Sequence, residues 1–76
     1  MRLIISVSDN VVIIDGNARK VNCESIAELH AVQWYGDEGE GEIEYFMHGK
    51  PNETIKDVSR FQHLIDAYEV AKKEER

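Results

Sequence analysis

Seventy-six residues allow a single domain, 1–76, and a chain this short buries only about 60% of its unfolded surface, leaving a thin core and little room for a deep pocket. Nine Lys and Arg against fifteen Asp and Glu give a net charge of −6, and the cations are scattered, which argues against nucleic acid and anionic membrane as partners. Cys23 is the sole cysteine, so neither an intrachain disulfide nor a Cys-based zinc site can form, as suits a reducing cytoplasm.

The chain opens with "RLIISV", residues 2–7, a short β-branched run too brief for a signal-peptide core. No stretch approaches the ~20 apolar residues of a membrane span, so a soluble, unexported chain is expected. "SDN", residues 8–10, supplies Asp9 and Asn10 for a turn, and "VVIID", residues 11–15, completes a hairpin. Both runs are apolar at nearly every position, which predicts strands covered wholly or partly on both faces. Gly16 and Asn17 offer the positive φ of a second tight turn. "ARKVN", residues 18–22, then reads as a short charged strand at a sheet edge. "CESIAEL", residues 23–29, predicts one helical turn that drops Ile26 and Leu29 onto the core.

"HAVQWYGDEGEGEIEY", residues 30–45, alternates with period two on both sides of a glycine-rich bend. Folding it about Glu38 and Gly39 sets Trp34 opposite Ile43 and Val32 opposite Tyr45, all on one face. Gly36, Gly39 and Gly41 serve the turn, and the carboxylates project into water. "HGKPNE", residues 48–53, is expected to be a loop. From Ser59 the period becomes 3.6, with Phe61, Leu64, Ile65, Tyr68 and Ala71 on one stripe. Ser59 and Gln62 can form a capping box, with Asp57 as a rival cap. Lys72, Lys73 and Arg76 suit the helix C-terminus, partly offset by Glu74 and Glu75. The fold class is therefore α+β: a small antiparallel β-sheet of two hairpins plus a short edge strand, packed by one C-terminal α-helix.

Candidate sites are few. Asp37, Glu38, Glu40, Glu42 and Glu44 could form a divalent-metal or small-ligand module, but they lack the ligand pattern of an EF-hand loop and read as a solvated bend. His30, His48 and His63 fall on different elements, without the i, i+4 spacing of a helical metal site. Cys23 needs a base and a lowered pKa to act as a nucleophile, and His30 is its only near neighbour of that kind. No catalytic, cofactor-binding or metal residue is assigned, and no enzyme activity is expected. Tyr35 and Phe46 should face outward by alternation, the usual look of a protein-contact anchor. Arg19 and Lys20, on the charged edge strand, complete the candidate contact set.

"IAELHAVQWYGDEGEGEIEY" followed by "GKPNETIKDVSRFQHLIDAYEVA" resembles a group of small proteins encoded in phage and prophage tail-gene regions. The HAVQWYG…GEIEY hairpin, the KPNE loop, the D-x-S-x-F-Q helix entry and the I-D-A-aromatic helix segment carry the likeness, and the start "MRLIISVSDNVVIIDG" is similar too. The resemblance implies a tail-associated or tail-fibre-assembly-associated protein, with tail or fibre proteins as partners. Its place would be the cytoplasm of the bacterial host or the virion. It implies no reaction and no cofactor.

Overall fold

Two β-branched runs at the N-terminus pair as strands β1 (Arg2–Ser6) and β2 (Val11–Ile14), and the chain turns back once more as β3 (Asn17–Lys20). The computed structural model describes residues 1–74. Strands β4 (Leu29–Tyr35), β5 (Glu40–Tyr45) and β6 (Glu53–Ile55) complete the antiparallel sheet, in the order β3-β2-β1-β4-β5-β6. Helix α1 (Gln62–Glu74) then packs over β3 and β2. Among the described residues this is the α+β architecture that the periodicities predict.

Alternate positions sort the sheet into two faces. Leu3, Ile5, Val12, Ile14, Val32, Ile43 and Ile55 are buried beneath the helix side, where Phe61, Leu64, Ile65 and Tyr68 meet them. The predicted helical stripe is thus the one that buries, with Ala71 at its margin. Glu75 and Arg76, expected at the helix end, lie outside the described residues.

Several local expectations are corrected. The β2–β3 turn takes its positive φ from Asp15 (50°) and Gly16 (84°). Asn17 instead opens β3 and returns its amide to the carbonyls of Ile14 and Asp15. β3 ends at Lys20; the Val21 N–H still meets the Asn10 carbonyl in register at 2.9 Å, and the chain then turns away as the Cys23 N–H bonds the Asn10 side chain.

The β4–β5 hairpin has a different register from the one predicted. Val32 lies opposite Ile43, Trp34 opposite Gly41 and Leu29 opposite Tyr45. The loop holds four residues, 36–39, closed by the Gly39 N–H on the Tyr35 carbonyl at 3.0 Å. A slip of two residues preserves the side-chain face, so Val32 and Ile43 stay buried while Trp34 and Tyr45 pack beside them half-buried. Gly41 therefore belongs to the strand, not the turn; Gly39 (φ 70°) is the turn glycine. Glu53, expected to close the 48–53 loop, instead opens β6, which adds residues 53–55 to the open edge of β5.

The helix entry is tighter than a capping box. Ser59–Phe61 is a 3₁₀ turn, and the Asp57 carboxylate accepts both the N–H (2.8 Å) and the hydroxyl of Ser59. Those bonds hold the Asp57 carboxyl below its ordinary pKa. Gln62 donates forward to Asp66 at 3.0 Å rather than back to the cap.

Candidate functional site

The chain must carry β3, at one edge, to β4 on the far side of β1. Residues 21–28 make that crossing over the ends of β2 and β1. Asn10, left-handed at φ 52°, anchors it: its carbonyl takes the Val21 N–H and its side-chain oxygen takes the Cys23 N–H, both at 2.9 Å. Between the crossing and the strand ends lies an open groove of about 730 Å³, lined in part by Val7, Asn10, Cys23, His30 and Phe46.

His30 lies within β4 as a bulged residue, since Leu29 pairs with Tyr45 and Ala31 with Glu44. Bulges re-aim side chains. Here the imidazole meets the Phe46 ring edge-on, with centroids 6.3 Å apart. Cys23 and His30 thus line one groove, but their chemistry does not combine. The Cys23 thiol is fully buried, donates to the Val21 carbonyl at 3.4 Å, and has its pKa pushed up by burial. A nucleophilic cysteine needs the opposite shift. Cys23 should accordingly react with a water-soluble disulfide reagent about a hundredfold or more slowly in the folded protein than in urea, because labelling waits on opening of the fold. Fast stoichiometric labelling of the native chain would contradict this burial.

The acids of the bend do not converge. Glu40 pairs with Lys56 at 3.0 Å, and Glu42 accepts from Asn52 at 3.1 Å. Glu53 accepts from the Tyr45 hydroxyl, which raises the tyrosine's pKa, and lies 3.8 Å from Arg60. Among the described residues no three His, Cys, Asp or Glu side chains group as metal ligands. His63, on α1, instead meets the Ser25 hydroxyl at 2.9 Å, which pins the crossing to the helix. These residues lie 38 positions apart, and nothing local in the sequence signals their contact.

The four candidate contact residues do not share one surface. Tyr35 lies on the face away from the helix, half-buried, with the Arg2 guanidinium 5.2 Å from its ring centroid and its hydroxyl donating to Gln33. Phe46, 56% exposed, lies about 20 Å away at the opposite end of the hairpin, given six or seven residues of strand between the two rows. Arg19 points inward, half-buried beneath the helix and 6.0 Å from the Tyr68 ring centroid. Lys20 points to the other face, and its ammonium donates to the Asp9 carbonyl at 2.9 Å.

Among the described residues that other face carries no helix. Three cross-sheet rows can be followed on it: Arg2–Tyr35–Glu40; Ala18–Ile13–Ile4–Gln33–Glu42–Thr54; and Lys20–Val11–Ser6–Ala31–Glu44. Ile4, Val11, Ile13 and Ala31 form a half-buried apolar patch, and no element of residues 1–74 packs over it. β1 and β2, expected to be covered wholly or partly on both faces, are among the described residues buried on the helix side and half-buried on this one. Antiparallel sheets normally present a polar outer face to water, so two isoleucines and a valine there signal something else.

None of the described helices is long and apolar enough to cross a membrane. Protein-family models, curated proteins and solved structures all fail to match this chain.

Proposed function

We propose that this chain is a non-enzymatic accessory or assembly protein of a phage or prophage tail, working through protein contacts in the bacterial host. The observation that carries the contact reading is the apolar patch of Ile4, Val11, Ile13 and Ala31 on the helix-free sheet face. The tail setting rests on the resemblance of the hairpin, the KPNE loop and the helix entry. Several groups of a kind that carries chemistry are instead engaged in the fold: Cys23 is buried, Glu40 and Glu53 have basic neighbours, and His63 holds Ser25.

Tagged protein from cells induced for phage production should bring down tail or fibre proteins. The Ile13→Lys variant, which places a charge on the outer face and leaves the core untouched, should recover them at least about tenfold less well, with an unchanged melting temperature. Recovery of nothing tail-related from induced cells would count against the setting.

A further inference from the structure

We infer that the helix-free face is covered by a second copy of this chain, packed face to face about a two-fold axis that runs along β1. The inference rests on the reading of that face as a protein-contact surface, for which a tail protein and a second copy would compete, and the charge pattern across it selects the second copy. The β3–β2–β1 side carries Lys20 beside Val11, Ile13 and Ile4, whereas β5 carries Glu40, Glu42 and Glu44. A two-fold axis parallel to the strands keeps each row at its own height and exchanges the two sides of β1. It lays β2 over the partner's β4, and β3 over the partner's β5.

Row by row, the match is self-complementary. Ile4 meets its own copy on the axis, Val11 meets Ala31, and Lys20 meets Glu44, because Lys20, Val11, Ser6, Ala31 and Glu44 share a row. Each contact off the axis occurs twice, as an isologous interface requires. Lys20 gives one N–H to Asp9 and keeps two for a partner carboxylate. Arg2 meets its own mate at the open end of the axis, where water screens the pair. A perpendicular in-plane axis would instead stack β5 on β5 and set glutamates against glutamates.

The shared footprint, four strand spacings wide and three rows tall, is about 20 by 15 Å. That is small beside a standard interface, so the dimer is weak and forms in a concentration-dependent way. Salt loosens it further through the Lys20–Glu44 pairs.

Sedimentation equilibrium of the full chain between about 10 μM and about 1 mM tests the proposal. The wild type should pass from one chain mass to two within that range. Lys20→Glu and Glu44→Lys should each weaken association about tenfold or more, since each makes two like-charge contacts. The double variant, which reverses both charges, should restore it. Circular dichroism at the lowest concentration checks that every variant is folded. A chain that stays monomeric throughout overturns the inference, as does a dimer that ignores the single reversals or is not rescued by the double one. Recovery of tail proteins is read separately: a monomer that still captures them refutes the two-fold alone, and a rescued dimer that captures none refutes the tail setting alone.

Discussion

Gly41→Ala should cost about 3 kcal/mol or more, although the substitution adds one methyl group to a strand. A Cβ built at Gly41 falls 2.5 Å from the Trp34 Cα and 2.9 Å from the Gln33 carbonyl carbon, with the Gln33 oxygen closer still. These are backbone atoms of the paired strand, so no rotamer change relieves the clash. Either the β4–β5 ladder opens there or β5 moves, and β5 is held on its other side by β6, where Gly41 faces Ile55. A chain of 76 residues has a total stability of roughly 4 to 11 kcal/mol, so one such loss removes a large share of it. Urea unfolding should show a much lower midpoint with an unchanged slope. Gly39→Ala provides the contrast. Nothing lies within 4 Å of a Cβ there, and only the left-handed backbone at φ 70° resists, a penalty of about 1 to 2 kcal/mol. Similar midpoints for the two variants would mean that the close approach of β5 to β4 is absent.

The same glycine shows what the sequence could and could not convey. Period-two alternation identified both strands of the hairpin and its inner face, since parity survives any even slip. It could not choose between a two-residue and a four-residue bend, because both preserve parity, so the partner of Trp34 came out two positions away and that of Tyr45, beyond the bulge, three. The bulge at His30 was hidden for a related reason. It inserts one residue before the alternation begins, and the preceding "CESIAEL" carries no period to reveal a break. Strand β6 has three residues beside Pro51 and Asn52, too few for any pattern, and it exists because β5 offers an open edge. The helix stripe was plain, but its cap was not, as Ser59 and Asp57 both suit that role and only the bonds formed decide. Most telling are β1 and β2. Their unbroken apolar runs announced two faces covered wholly or in part, and among the described residues one face is packed by the helix and the other is half-buried. A sequence can state that a surface needs company without stating whose.

Tyr68→Ala should be the most damaging truncation in the helix, at about 3 to 5 kcal/mol. Tyr68 is 2% exposed and heads the fully buried side chains by volume, and its ring is the floor on which Arg19 of β3 rests. Removing the ring leaves a cavity between α1 and the β3–β2 edge. It also takes away the aromatic face beside Arg19, a contact of about 0.5 to 2 kcal/mol. Tyr68→Phe keeps the ring and that contact, so it should lie much nearer the wild type. For a domain of this size each kcal/mol lowers the melting temperature by about 4 to 8 °C, so the alanine variant should melt at least about 12 °C lower. The helix has no independent means of support, because Phe61, Leu64 and Ile65 share one core with Leu3, Ile5 and Val12. A 13-residue helix is also marginal on its own in water. Helix and sheet should therefore unfold together, with far-UV circular dichroism and Trp34 fluorescence giving one transition. A helical signal lost well before the Trp34 signal would show instead that the sheet stands without its cover, and that burial beneath α1 is not what holds β3 and β2 in place.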